Sequence, residues 1–272
     1  MPGMVRVDND LRIAGLLSSA LVALMIVQPI LGLAFFDQYR DPEPIRTAWF
    51  GNDWITLAIG VPLLIGGRAA WRRGSARGLL VWLGLLGYAI YNYGFYLFGA
   101  ALNAFFPLYV LALVIAVVAL ILALSGLEIG ALAGSFGDRT PVRLVGGTLA
   151  GIGIVLAVVW LAIWGAHVFA GRSTPIAPEA FKVVAAMDLA LMVPALTAGG
   201  VLLWRRRPWG YVIAAIASTQ GALYLLVLSV DTVVAIRRGL TGAPGELPIW
   251  GPLLAITAAA AVILLKQVRQ RS

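Results

Sequence analysis

The sequence predicts an all-α fold, a polytopic membrane helix bundle of eight transmembrane helices, and three observations carry that prediction. Hydrophobic residues make up 61% of the 272 and charged residues only 12%, against roughly 25% charge in a soluble domain. The mean hydropathy is +0.94. The apolar residues gather in eight runs, each near the ~20 residues that an α-helix needs to cross a ~30 Å hydrocarbon core.

The runs are approximately Leu11–Phe35, Trp49–Gly67, Leu79–Ala100, Phe105–Leu127, Leu144–His167, Val183–Trp204, Tyr211–Ile236 and Trp250–Leu265. The first exceeds the roughly 7–15-residue apolar core of a secretory signal and runs into QPILGLAFFDQYRDPEP without a small-residue cleavage pattern, so a retained helix is expected. Lys and Arg on alternate sides of the spans divide 14 to 6. The positive-inside rule then predicts cytoplasmic N- and C-termini in a multi-pass protein of a cell inner membrane or plasma membrane. The nine tryptophans fall near the predicted ends of spans, where indole prefers the headgroup boundary. Eighteen arginines against two lysines, with abundant Ala, Gly and Leu, suggest a GC-rich bacterial source.

An internal repeat is expected. GVPLLIGGRAAWRRG, from Gly60, and MVPALTAGGVLLWRRR, from Met192, share Val-Pro, a Gly-Gly pair, Trp and an Arg pair in the same order, with Pro62 and Pro194 separated by 132 residues. The preceding loops each hold prolines, an Arg and a Glu and close on an Asp. The chain therefore reads as two four-helix membrane repeats, 1–135 and 136–272, and an even number of spans in each makes them parallel.

Helical spacing sorts the polar side chains of YAIYNYGFYLFGAALN. Gly84, Tyr88, Asn92, Tyr96, Gly99 and Asn103 fall on one stripe, and the bulky residues Tyr91, Phe95, Phe98 and Leu102 on a second that reads as lipid-facing. At an offset of 132, Gln220, Tyr224 and Asp231 of the seventh span match the first stripe. Asp53, Asp188 and His167 border spans on the same side of the membrane. Carboxylates inside a span usually face a bundle interior or a watery cavity. The expected binding residues are therefore Tyr88, Asn92, Tyr96, Asp188, Gln220, Tyr224, Asp231, Asp53 and His167, around one outward-opening cavity. Simpler roles compete: helix bonding for Asn92 and Gln220, capping for Asn103 and Asp53, and pairing of Asp231 with Arg237 or Arg238. Gly147-x-x-x-Gly151 reads as a close-packing face, with homodimerisation as its second use.

Zero cysteines and one histidine exclude Cys/His zinc clusters, iron–sulfur sites, bis-histidine haem and disulfides, and no cofactor or metal is expected. No G-x-S-x-G, phosphate loop or H-E-x-x-H occurs, and no catalytic residues are assigned. The +8 charge lies in short loops, which excludes a nucleic-acid surface and points Arg72, Arg73, Arg205, Arg206 and Arg207 at anionic inner-leaflet lipids. The leading expectation is a transporter or binder of a small solute or cation between the two halves. Two alternatives are a non-catalytic sensor or assembly factor binding a partner protein or lipid, and an outer-face enzyme using Asp and His.

Overall fold

The computed structural model describes residues 8–240 and 247–269, and within them the secondary structure is helical apart from isolated bridge residues such as the pair Phe136 and Val268. The helices are α1 (Asp8–Ala34), α2 (Glu43–Ile55), α3 (Val61–Arg72), α4 (Ala76–Gly99), α5 (Phe106–Ser125), the short α6 (Ile129–Ala133), α7 (Val142–Ala170), α8 (Pro178–Met187), α9 (Val193–Trp204), α10 (Pro208–Arg237) and α11 (Leu247–Gln267). Two π turns, Thr56–Gly60 and Asp188–Met192, join α2 to α3 and α8 to α9. Eight continuous helices are thereby long and apolar enough to cross a membrane.

Both π turns stop at a Val-Pro pair. Pro62 and Pro194 lack an N–H and their rings press on the carbonyl four residues back, so the ladder widens by one residue. The bond that closes each turn runs from Val61 N–H to Thr56 O and from Val193 N–H to Asp188 O. Local geometry stays in step beyond this point. Gly67 packs on the backbone of Trp82 and Gly199 on that of Ala214; Gly78 packs on Trp71 and Gly210 on Leu203. The turn after each hairpin helix repeats as well: Gly74 N–H bonds Trp71 O where Arg206 N–H bonds Leu203 O, and Ser75 bonds Ala70 where Arg207 bonds Leu202. Every pair is 132 residues apart.

The one difference in that turn has an energetic consequence. Gly74 sits at φ +88°, whereas Arg206 holds the left-handed region at φ +55°, the one non-glycine residue to do so among those described. In that region the Cβ of an L residue crowds the following carbonyl oxygen. Arg206→Gly is therefore expected to stabilise the protein by about 1 kcal/mol, read as a rise in the unfolding midpoint in detergent.

α4 is the central helix. It packs against α3, α5, α8 and α10, and 83% of its most apolar window is buried. Its neighbour α10 is next, at 56%, and the other spans bury a third or less. At the crossing of α4 with α10, Gly84 lies on Thr219 and Gly87 lies on Ile216 and Gln220. α2 crosses α10 where Gly51 lies on Asp231, and α8 crosses α4 where Gly99 lies on Val183. α1 packs on α5 in the first half of the chain, whereas α7 and α11 touch only marginally.

The close face of α7 is one residue out of phase with the expectation. Gly146 packs on Gly200 O and Gly153 on Thr197 and Leu196, so α7 and α9 meet backbone to backbone. Gly147 faces only the Trp204 ring, and Gly151 has open space where a Cβ would stand. The glycines that close on α9, Gly146 and Gly153, are two turns apart, and a four-residue spacing does not fix which face is buried.

Candidate functional site

Three aspartates lie within or beside the polar core, and each has its own surroundings. Asp53, fully buried in α2, accepts from Gln28 Nε2 at 3.1 Å and Tyr96 OH at 2.7 Å on Oδ1, and from Tyr39 OH at 2.7 Å on Oδ2. Gly32 lets α1 close over this group, because a Cβ there would overlap Asp53 Oδ2 and the Tyr39 hydroxyl. Tyr39 stands in the segment between the first two spans, where burial, and then the Asp53 carboxylate beside it, push its phenol well above the usual tyrosine range. It stays a hydrogen-bond donor at any physiological pH.

Asp188 opens the second π turn and is buried. Tyr91 OH donates to Oδ1 at 2.7 Å and Trp160 Nε1 to Oδ2 at 2.9 Å. Gln28 and Trp160, the N–H donors to the two carboxylates, are again 132 residues apart. Asp231, on α10, borders a small cavity instead.

That cavity, of about 20 Å³, is lined by Trp49 and Asn52 of α2, by Tyr88, Tyr91, Asn92 and Phe95 of α4, and by Tyr224 and Asp231 of α10, with Ala48, Val227 and Leu228 completing it. It has room for one water-sized particle. Its aromatic walls are held from behind. Trp49 Nε1 donates to Asp41 at 2.9 Å, and Trp49 stacks on Tyr96 with ring centroids 4.6 Å apart. Tyr91 is fixed by Asp188 and lies 4.6 Å, centroid to centroid, from Tyr224. Tyr88 OH and Thr56 Oγ1 share a hydrogen bond of 3.1 Å, and Asn92 Nδ2 reaches the same Oγ1 at 3.5 Å. Asn52 is 4% exposed, and its Oδ1 has no hydrogen-bond partner among the described residues.

The sequence-derived residues therefore divide. Tyr88, Asn92, Tyr224 and Asp231 line the cavity; Tyr96 and Asp53 form one closed group beside it and Asp188 another. Gln220 lies against Gly87 at the α4–α10 crossing. His167 is exposed at the end of α7, with Nδ1 2.8 Å from Arg172 O, and it is not among the partners of Asp53 or Asp188. Asp53 and Asp188 accept from different residues of α4, Tyr96 and Tyr91, and of the three carboxylates Asp231 is the one that lines the cavity. Asp53 is two residues short of the end of α2 and buried in a side-chain network, not a cap, whereas Asn103 Oδ1 does accept the Phe105 N–H in a turn. Arg238 bonds Thr47 Oγ1 at 3.0 Å and lies over the Phe36 and Phe50 rings.

Sequence reading missed Gln28, Tyr39, Asn52, Tyr91 and Trp160 as polar-core residues. Tyr91 shares the stripe of Phe98 and Leu102, yet it is 1% exposed because α4 has helices on nearly every side, whereas Phe98 and Leu102, at 63% and 73%, face outward as expected. Trp49, Trp82 and Trp160 are hydrogen-bonded inside the bundle, to Asp41, Ser18 and Asp188, in place of a purely interfacial role. A lone amide inside an apolar run was the available signal for Gln28.

Comparison with known proteins returned no match to a protein-family model, a curated protein or a solved structure.

Proposed function

We propose that this chain carries a small solute across the membrane, binding it between two parallel four-helix halves. The observation that supports this most is the position of the cavity: α2 and α4 of residues 1–135 supply one wall and α10 of residues 136–272 the other. Transport folds built from parallel repeats hold their ligand at the boundary between halves and move one half against the other.

The duplication itself rests on contacts that exchange under the 132-residue offset. Gly84 on Thr219 becomes Ile216 on Gly87, and Gly51 on Asp231 becomes Val183 on Gly99. Such reciprocity is the pattern of a two-fold interface, in which residue i meets j and j meets i. A two-fold axis would pass between α4 and α10, beside the cavity. The paired π turns place a helix irregularity in the second span of each half, where an inward or outward tilt would bend. In this reading both termini are cytoplasmic, and Arg72, Arg73, Arg205, Arg206 and Arg207 meet anionic lipid headgroups at about 1 kcal/mol apiece.

The test is flux in proteoliposomes. Asp231→Asn keeps the shape of the cavity wall and removes its carboxylate, so uptake is expected to fall at least about tenfold while the purified variant keeps its unfolding midpoint within a few degrees. Undiminished uptake by the variant would place the solute path elsewhere.

A further inference from the structure

We infer that the cavity between α2, α4 and α10 binds a single dehydrated monovalent cation of about the size of a water molecule, ammonium or potassium, in contact with Asp231 and Asn52. This names the solute class of the site proposed above and rests on that reading for its role in transport, though not for binding itself.

Size makes the first restriction. About 20 Å³, where one water needs roughly 10–15 Å³ of such space, admits one water-sized particle and not a hydrated ion with several waters in its inner shell. Charge makes the second. The lining contains an Asp carboxylate, two amides and three tyrosines, and no Lys, Arg or His. An anion finds no positively charged partner there.

Asn52 is the independent pointer to a ligand. Its side chain is more than nine-tenths buried, it lines the cavity, and its Oδ1 has no donor among the described residues. A buried amide oxygen left without a partner is destabilising, and a cation, or an N–H of ammonium, in the cavity would remove that cost. Aromatic faces add to the preference. Trp49, Phe95 and the close pair Tyr91–Tyr224 surround the space, and a cation within about 6 Å of such a ring is attracted by its quadrupole. A divalent ion, with a far larger dehydration cost, would require more carboxylates than the single one in this lining.

The geometry also makes occupancy felt across the bundle. Asn52 belongs to α2 and Asp231 to α10, so one ion touching both would tie the two halves at the crossing where Gly51 meets Asp231.

The experiment is a thermal-unfolding titration of the purified full chain in detergent, with ammonium, potassium, sodium or choline chloride at constant ionic strength. Ammonium or potassium is expected to raise the midpoint by several degrees with saturation, and choline, too large for the cavity, is expected to leave it unchanged; the stronger of the two small ions identifies the occupant. Asp231→Asn and Asn52→Ala should each abolish the shift, and Tyr224→Phe, which removes only a hydroxyl and so guards against loss of fold, should raise the half-saturating concentration several-fold. No saturable shift in the wild type, or a shift equal to that given by choline, would overturn the inference, as would a full shift retained in both Asp231→Asn and Asn52→Ala. Proteoliposome flux separates this result from the transport reading. Saturable binding without flux supports the cation site and removes transport, whereas flux of a neutral solute indifferent to these cations does the reverse.

Discussion

Gly51→Val is expected to destabilise the protein by about 3 kcal/mol, and adding Asp231→Gly to the same chain should restore most of that loss. Gly51 is buried where α2 crosses α10, and any Cβ there would overlap Asp231 Oδ1 and approach the Asp231 backbone. A valine must therefore push the helices apart or drive Asp231 out of place, the overpacking situation that costs ~1–3 kcal/mol and more where backbone blocks relaxation. The proposed two-fold relation supplies the remedy. At the equivalent crossing of α8 with α4, Val183 already lies on Gly99, with its Cγ1 3.4 Å from where a Cβ of Gly99 would stand. The double variant copies that pair into the other crossing.

Rescue should be incomplete, because a glycine inside α10 costs about 1 kcal/mol relative to a helix-forming residue. Denaturant titration of the wild type, both single variants and the double variant in mixed micelles gives the coupling energy directly. A coupling of about 2 kcal/mol supports two structurally equivalent crossings. A double variant no more stable than Gly51→Val would show that the 132-residue correspondence does not extend to the packing of α2 on α10.

How much of this was legible in the sequence follows from what each signal averages over. The eight spans were readable because hydropathy integrates over about 20 residues, and an error at either end hardly changes the sum. The broken second and sixth spans were marked by Pro62 and Pro194, whose effect on a helix is local. Facing relations were harder. The stripe of Tyr88, Asn92 and Tyr96 was sound as a row of polar positions, but periodicity within one helix does not say what stands opposite, and Tyr88 meets Thr56 while Tyr96 meets Asp53.

Tyr39 illustrates the limit. It is supplied by a connecting segment, and only the folding of that segment against α1 and α5 brings its hydroxyl to Asp53 and its ring to Phe105. Trp160 illustrates another. An indole near the end of a span is an ordinary interfacial anchor by composition, and its N–H finds Asp188 only because α7 packs against the Asp188–Met192 turn. Gly146 and Gly147 differ in role although both begin a small-residue spacing, since the phase of a helix is set by its partners.

The Trp160–Asp188 bond leads to the second large effect. Asp188→Ala is expected to release the C-terminal half of α7 and to cost about 2–4 kcal/mol. Up to Gly153 this helix is fastened by its glycines to α9, but from Ile154 to Ala170 no residue is buried. The connections of that stretch to the bundle include Trp160 Nε1 to Asp188 and the edge of the Trp160 ring on Phe181, with centroids 5.4 Å apart. Alanine at 188 leaves the Tyr91 hydroxyl and the Trp160 N–H without their acceptor, at about 1–3 kcal/mol each when no water replaces it. Hydrogen exchange should therefore quicken in peptides covering 154–170 and stay unchanged in 142–153. Trp160→Phe keeps the ring contact and loses the bond, so it should reproduce part of the exchange effect, and combining it with Asp188→Ala should add little, because both changes break one link. Tyr91→Phe should instead lower stability without loosening α7, since its hydroxyl reaches Asp188 from α4. Exchange in 154–170 that is unaffected by Asp188→Ala would mean that the carboxylate stabilises the bundle through Tyr91 alone and that α7 is held by packing against α8.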